Sequence, residues 1–137
     1  TCVKAATIFR TNTKQGNVSL VVKNCTFYNL FSGEALMRDI IGSTNSFTAE
    51  NILFAGSGSV KIFNKTSDAP GIINGSRIYS SSDLTVANAG EVSTTALSYS
   101  SSQLFPNASS STDVLDLTFG ADIPNEVKII GDPRWNK

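Results

Sequence analysis

The sequence predicts an all-β protein whose chain winds into about three regular stacked coils, each of which adds strands to parallel sheets. Three observations lead to this prediction. One motif recurs every 24 to 27 residues, a second motif recurs with a similar spacing, and both are rich in β-branched and aromatic residues. Two interleaved motifs that share one period are typical of solenoids, because a single coil cannot bury its own apolar face.

The first motif is an apolar strand that bends at a small polar residue or at glycine. Its three occurrences are residues 21–29, 48–56 and 72–80. The alignment places Asn24, Asn51 and Gly75 at the bend, where such residues tolerate unusual backbone angles. Since adjacent strands lie about 4.8 Å apart, we expect the side chains of Asn24 and Asn51 to form a hydrogen-bonded ladder.

Columns of inward-facing apolar side chains follow from this alignment. One column is predicted to contain Phe27, Phe54 and Ile78, and a neighbouring column to contain Cys25 and Ile52. Such columns supply the contacts between coils on which a parallel stack depends.

The second motif predicts another apolar column and a row of positive charge. It occurs at residues 8–10, 36–38 and 62–64. Phe9, Met37 and Phe63 are therefore predicted to lie above one another, and Arg10 is predicted to stack on Arg38. Stacked like charges repel one another unless a carboxylate or an anionic ligand lies between them.

The period fades after residue 80, where three serine runs alternate with short apolar segments. We expect residues 1–137 to form one domain, with regular coils over 1–80 and an irregular fourth coil and carboxy-terminal cap over 81–137. The cap is predicted to cover the open sheet edge at the end of the stack, with Trp135 in the seal. Because a full motif is already present near the amino end, we also expect further coils or another domain before Thr1.

Composition limits the possible classes of function. The 137 residues are enough for one domain, and their 11 basic and 11 acidic residues give a net charge of zero. The clustered cationic face of a nucleic-acid-binding protein is absent from the sequence. No apolar run approaches the roughly 20 residues of a membrane span. Cys2 and Cys25 allow one disulfide, but the favoured interpretation is two small buried thiols, since a solenoid core does not depend on cross-links.

Three segments together resemble a family of uncharacterised surface or periplasmic proteins of gut Bacteroidetes. They are residues 24–29, the repeat of this motif at 51–54, and the Gly-Asp-Pro-Arg-Trp ending at 131–135. The ending is the most specific part of the resemblance. The resemblance covers nearly the whole chain. It implies a right-handed, single-stranded parallel β-helix of the pectin-lyase-like type, of which this chain is the carboxy-terminal part. It also implies an extracytoplasmic location, as a secreted, periplasmic or lipid-anchored protein, and a polysaccharide partner. The family pattern carries no established catalytic residues, so none is transferred.

Most catalytic chemistry has no support in the sequence. The absence of histidine excludes Ser-His-Asp and Cys-His catalysis and most zinc sites. The acidic residues are spread singly, and the closest pair, Asp113 and Asp116, is interpreted as a solvated strand face rather than a calcium site. The sequence therefore predicts no catalytic residue, no metal and no cofactor.

The first candidate for ligand binding is the group Arg10, Arg38 and Asp39. Two arginines on neighbouring coils are suited to an acidic glycan, since guanidinium groups pair with carboxylates. The alternative is a structural ladder on the outside of the stack, neutralised by Asp39 or Glu34.

The second candidate is the aromatic pair Tyr28 and Tyr79. Sugar rings stack on exposed aromatic faces, but half-buried packing is the alternative for both side chains. Trp135 is likewise interpreted first as part of the cap and second as a sugar contact.

Three functions remain open on the sequence alone. The leading hypothesis is a non-catalytic module that binds or presents carbohydrate outside the cytoplasm. The alternatives are the carboxy-terminal section of a polysaccharide lyase or glycoside hydrolase, and a structural spacer or adhesin.

Overall fold

The computed structural model describes residues 2–3, 8–10, 17–30, 35–38, 42–63, 69–87, 92–108 and 115–136. Strands predominate in these segments and form two parallel sheets, so the predicted all-β class is confirmed. The helices are short, and none within the described residues is long and apolar enough to cross a membrane.

The chain alternates between a five-stranded sheet and a four-stranded sheet. The five-stranded sheet contains, in spatial order, β1 (Cys2–Val3), β3 (Ser19–Tyr28), β5 (Gly42–Ala55), β7 (Pro70–Ser80) and β9 (Thr95–Ala96). The four-stranded sheet contains β2 (Phe9–Arg10), β4 (Ala35–Arg38), β6 (Gly58–Phe63) and β8 (Leu84–Ala87). Each strand pairs in parallel with the strand two places earlier, which is how a recurring motif of fixed spacing builds two sheets at once.

Two of the predicted columns are present in the register of the strands. Phe27 pairs with Phe54, and their rings stack with centroids 5.2 Å apart. Phe9 pairs with Met37, which pairs in turn with Phe63. The pairing of Cys25 with Ile52 is also confirmed.

The third occurrence of the first motif is shifted by two residues from its predicted alignment. Phe54 pairs with Ser80, and Ile78 pairs with Ile52, so the prediction that Ile78 continues the Phe27 column was wrong. A slip of one residue turns a strand's side chains to the opposite face, but a slip of two keeps them on the same face. The apolar pattern therefore did not exclude the wrong alignment.

The bend in β3, β5 and β7 lies at residues with left-handed backbone conformation. Asn24, Asn51 and Arg77 have φ values of 51°, 55° and 53°. The Asn51 side-chain amide donates a hydrogen bond to Asn24 Oδ1 at 2.9 Å, which confirms the predicted ladder between these two residues. The third position is occupied by Arg77 and not by Gly75, which was wrongly predicted there.

Gly75 is required for a different reason, namely a close approach of side chains. It pairs with Ala49 in the straight part of β7. A Cβ atom at this position would lie 2.8 Å from Cγ1 of Val92 and 3.2 Å from Cδ1 of Ile78. The glycine therefore makes room for the core, and it does not make the bend.

The first hydrophobic core lies between the two sheets. It contains side chains from both, and the rings of Phe47 in β5 and Phe63 in β6 meet edge to face at 5.7 Å. Its largest fully buried members include Phe47, Phe54, Phe63, Met37 and Ile52. This core supplies the main contact between the sheets, as is usual for packed layers.

A second core covers the outer face of the five-stranded sheet beyond the bend. Leu53 and Ala55 point away from the first core and are nonetheless almost completely buried, with 0% and 1% of their surfaces exposed. The residues that cover them come from the carboxy-terminal segment, which includes α1 (Ser101–Leu104), α2 (Asn125–Lys128) and a final 3-10 helix (Pro133–Trp135). The buried members from this segment are Leu104, Phe105, Leu117, Phe119, Ile123, Val127 and Ile130.

The packing of this segment adds a contact that the predicted carboxy-terminal cap did not include. Its described apolar residues pack against the face of the five-stranded sheet, at β3, β5 and β7, while the predicted cover over the end of the stack stays a prediction. Trp135 is partly buried against the same second core. The physical reason is that the sheet carries apolar residues on both faces beyond the bend and therefore needs a layer on each side.

Hydrogen bonds attach the end of the chain to the bend. The amide N–H of Gly131 donates to Asn51 Oδ1 at 3.3 Å, and the Asn51 amide donates to the carbonyl oxygens of Ile129 and Gly131, each at 3.3 Å. Asp132 N–H donates to Thr26 Oγ1 at 3.0 Å. Gly131 has a φ of 81°, and a Cβ atom there would lie 2.5 Å from Thr26 Oγ1, so glycine is required.

The register can be tested by truncating two isoleucines of the five-stranded sheet that differ in burial. Ile52 is 2% exposed between Cys25 and Ile78, whereas Ile72 is 49% exposed. Ile52→Ala is expected to lower the free energy of unfolding by about 2–5 kcal/mol because it leaves a cavity. Ile72→Ala should change it by less than about 0.5 kcal/mol. Urea unfolding followed by circular dichroism measures both values, and equal losses would contradict the register.

The role of Asn51 can be separated into its hydrogen bonds and its backbone conformation. Asn51→Gly removes the hydrogen bonds but permits the positive φ, and should cost about 1–3 kcal/mol for the buried groups left unpaired. Asn51→Ala should cost about 1–2 kcal/mol more, because the left-handed conformation is unfavourable for alanine. Asn74→Ala, at an exposed asparagine of β7, is the control. If Asn51→Ala were no more destabilising than this control, the bend would not depend on Asn51.

Candidate functional site

The first sequence-predicted group is partly assembled by the four-stranded sheet. Arg10 pairs with Arg38 on adjacent parallel strands, so the predicted stacking of these two residues is confirmed at the level of the backbone. The Arg10 side chain is exposed. Asp39 and Glu34, the residues predicted to neutralise the row, lie outside the described residues.

The described strands of the four-stranded sheet carry positive charge only. They contain Arg10, Arg38 and Lys61 and no acidic residue. The five-stranded sheet differs, because there Lys23 on β3 forms an ion pair with Glu50 on β5, with Nζ and Oε2 2.6 Å apart. The four-stranded sheet therefore provides the more attractive surface for an anion.

The predicted aromatic pair does not form a shared surface. Tyr28 pairs with Ala55 and Tyr79 pairs with Leu53, so the two rings belong to different rows. Both side chains are half-buried against the second core. The Tyr28 ring meets Phe105 edge to face at 5.9 Å, and burial, with a smaller effect of the Asp83 charge, raises the pKa of its hydroxyl group.

These contacts support the packing interpretation of Tyr28 and Tyr79. Residues of the carboxy-terminal segment pack against part of each tyrosine side chain. The sequence did not indicate these contacts, because the residues that pack against the tyrosines lie after residue 80, where the repeated motifs end.

A surface pocket that the sequence analysis missed lies in the carboxy-terminal segment. Its volume is about 310 Å³. The described residues that line it are Tyr99, Ser102, Gln103, Pro106, Gly120, Ala121, Asp122 and Ile123. They combine an aromatic ring, small apolar surfaces, an amide, a hydroxyl group and a carboxylate, which is the usual mixture in small-molecule sites.

The wall of this pocket is fixed by a capping box at the start of α1. The backbone N–H of Ser100 donates to Gln103 Oε1 at 2.8 Å, and Gln103 N–H donates to Ser100 Oγ at 3.3 Å. This reciprocal pattern has a recognisable sequence, Ser followed three residues later by Gln. The sequence therefore contained a signal for a helix start that the sequence analysis did not use.

Gly120 allows the opposite wall to approach α1. Its N–H donates to the carbonyl oxygen of Leu104 at 2.9 Å. A Cβ atom at this position would lie 2.7 Å from the carbonyl oxygen of Gln103, which is too close for any other residue without movement of the backbone. The pocket is thus built by a close contact between two backbone segments.

Asp83 anchors α1 to the sheets. It accepts hydrogen bonds from the backbone N–H of Ser101 at 2.9 Å and from the Ser101 hydroxyl at 2.5 Å. Partial burial acts to raise the pKa of Asp83, but the hydrogen bonds from Ser101 and Ser81 outweigh it and hold the pKa below its usual value.

The remaining chemically reactive groups have structural contacts. The Cys25 thiol donates to the carbonyl oxygen of Lys23 at 3.2 Å, and Cys2 pairs with Phe27 in the sheet. Asp116 accepts hydrogen bonds from Thr118 N–H at 2.8 Å and from the Asn107 amide at 3.3 Å, while its predicted neighbour Asp113 lies outside the described residues. Within the described segments, no three His, Cys, Asp or Glu residues cluster as a metal site would require.

Fold and surfaces together define an all-β protein of two parallel sheets. The four-stranded sheet is basic in its described strands, and the carboxy-terminal segment on the five-stranded sheet contains a pocket. Comparison with protein-family models, with curated proteins and with solved structures found no match to this chain. The family resemblance therefore stays a prediction.

The anchoring role of Asp83 predicts a pH-dependent loss of stability. Because its pKa is lower in the folded than in the unfolded chain, its contribution is complete above about pH 5 and is lost as the pH falls through the folded-state pKa. Asp83→Asn should therefore lower the urea midpoint at neutral pH, and its difference from the unmodified chain should shrink between about pH 5 and pH 2. Ser101→Ala, which removes one of the donors, should reproduce part of this effect. A difference that is constant with pH would contradict the assignment.

Proposed function

We propose that this chain is a non-catalytic, extracytoplasmic carbohydrate-binding module whose two sheets are faces of a right-handed, single-stranded parallel β-helix of the pectin-lyase-like type. The alternation of successive strands between two parallel sheets supports this architecture. Right-handedness is supported by the general rule that about 98% of crossovers between parallel strands of one sheet are right-handed.

The proposed ligand is an acidic polysaccharide, and the proposed binding surface is the four-stranded sheet. The observation that carries this proposal is the pairing of Arg10 with Arg38 on a sheet whose described strands contain three basic residues, the third being Lys61, and no acidic one. Arginine binds carboxylate in a bidentate geometry and stays charged at any working pH.

A polymer suits this surface better than a small anion does. Arg10 and Arg38 lie in one row on β2 and β4, and Lys61 lies on the next strand, β6, in the row of Ala35. A polysaccharide with a carboxylate on every sugar, or on every second sugar, can contact several of these basic residues at once. Each additional contact then forms without a further loss of translational freedom. Arg38 and Asp39 stay predicted members of this binding group, together with Arg10.

Substitution of the two arginines tests the proposal by calorimetric titration with an acidic glycan such as polygalacturonate. Arg10→Gln and Arg38→Gln should each weaken binding about tenfold or more, in line with the loss of hydrogen bonds to a charged group. Arg38→Lys should retain part of the affinity, and added salt should weaken binding to the unmodified chain. Arg77→Gln makes the same change of charge on the five-stranded sheet and is the control.

Three outcomes would contradict the proposal in different ways. Equal affinities for Arg38→Gln and Arg77→Gln would remove the four-stranded sheet as the binding surface. Cleavage of the glycan during titration would favour the lyase or hydrolase alternative. A glycan panel without any binding would favour the structural spacer or adhesin.

A further inference from the structure

We propose that the pocket beside α1 is a second carbohydrate subsite, which takes one neutral pyranose ring. This inference rests on the proposed function in its choice of ligand class. It concerns a different surface, on the carboxy-terminal segment. There a neutral sugar is expected to bind better than an acidic one, whereas the four-stranded sheet is proposed to bind an acidic polysaccharide.

The size of the pocket suits one small ring. Its volume of about 310 Å³ lies at the lower end of the roughly 300–1,000 Å³ that is typical for small-ligand sites. Two of its lining residues, Gly120 and Ala121, carry little or no side chain and take up little of this space. Gly120 cannot be enlarged without displacing α1, because of its contact with the Gln103 carbonyl group.

An apolar wall is available for the C–H face of a sugar. The lining residues that supply apolar surface are Tyr99, Pro106 and Ile123. The carbonyl oxygen of Tyr99 accepts a hydrogen bond from Ser82 N–H at 2.8 Å, so the backbone of this residue is held against the sheets. Aromatic side chains of this kind combine an apolar face with a polar tip, which matches the two-sided character of a pyranose.

The polar groups of the pocket are complementary to hydroxyl groups. The Gln103 oxygen is already used by Ser100, whose N–H and Oγ lie 2.8 and 3.1 Å away, so the amide nitrogen is the group that this side chain can offer to a ligand. The amide nitrogen donates to a sugar oxygen, whereas the Asp122 carboxylate accepts from one or two sugar hydroxyls.

The charge of the pocket selects against acidic sugars. Asp122 is the one charged side chain among the described residues that line it. The carboxylate of a uronic acid placed here would meet a like charge, whereas a neutral hexose offers a donor to the same oxygens. The described part of the carboxy-terminal layer, residues 97–136, is itself acidic, with Asp116, Asp122, Glu126 and Asp132 against two basic residues.

The pocket is preorganised by contacts that do not involve the ligand. They are the capping box of α1, the Asp83 anchor, and the backbone hydrogen bonds from Gly120 to Leu104 and from Ile123 to Gly120, of 2.9 and 3.1 Å. Binding then requires little ordering of the chain. A single ring in such a site is expected to bind with a dissociation constant of about 1 mM.

Titration of the isotope-labelled full chain with methyl glycosides, followed by 15N–1H NMR, tests the inference. Neutral methyl hexopyranosides should shift the amide signals of Ser102, Gln103 and residues 120–123, and the matching uronic acids should bind about tenfold more weakly. Asp122→Asn should weaken the binding of neutral sugars and abolish the discrimination against uronic acids. Glu126→Gln, which removes one negative charge from exposed α2 outside the pocket, is the control and should change neither.

The outcomes separate this inference from the proposed function. If the double variant Arg10→Gln and Arg38→Gln loses the acidic glycan but keeps the NMR response to neutral sugars, both proposals are supported. If neutral sugars at about 50 mM shift none of the pocket amides, the subsite is overturned, whatever the acidic glycan does. Equal behaviour of Asp122→Asn and Glu126→Gln would overturn it as well.

Discussion

Asn51 joins three parts of the molecule through one buried side-chain amide. Its nitrogen reaches Asn24 on the neighbouring strand and the carbonyl oxygens of Ile129 and Gly131 at the end of the chain, while its oxygen accepts from Gly131 N–H. The same residue has the left-handed backbone conformation that bends β5. Only a short side chain with both a donor and an acceptor can satisfy all these groups from a left-handed position, which is why asparagine suits this site.

The bend explains why the five-stranded sheet has two different outer surfaces. Before the bend, outward residues such as Lys23 and Glu50 are solvated and pair with each other across the strands. Beyond it, Leu53 and Ala55 point outward and are buried under the carboxy-terminal segment. In the described residues a third layer is therefore present beyond the bend, and the docking of Gly131 and Asp132 at the bend marks where it begins.

This layering also separates the charges. The four-stranded sheet is basic in its described strands, and the layer that covers the five-stranded sheet is acidic in its described residues. Surfaces of opposite charge favour different ligands, since each attracts the charge that the other repels. The two proposals made for this protein divide between these surfaces.

Much of the fold was predictable because it depends on local and periodic properties of the sequence. The columns headed by Phe27 and Phe9, the stacking of Arg10 on Arg38, and the Asn24–Asn51 ladder follow from apolar alternation and from the spacing of asparagines. The same pattern could not fix the third repeat, because a slip of two residues leaves every side chain on the same face.

Other features were decided by the tertiary structure alone. Arg77 adopts the positive φ of the bend although its side chain carries no signal for it, and Gly75 resembles a bend residue but serves the packing of Val92. The cover over Tyr28 and the pocket beside α1 arise from contacts between segments far apart in the chain. The sequence by itself determined the strands and their period, since these depend on neighbouring residues. Where the aperiodic carboxy-terminal segment lies depends on which apolar face the sheets leave uncovered, and only the assembled sheets define that face.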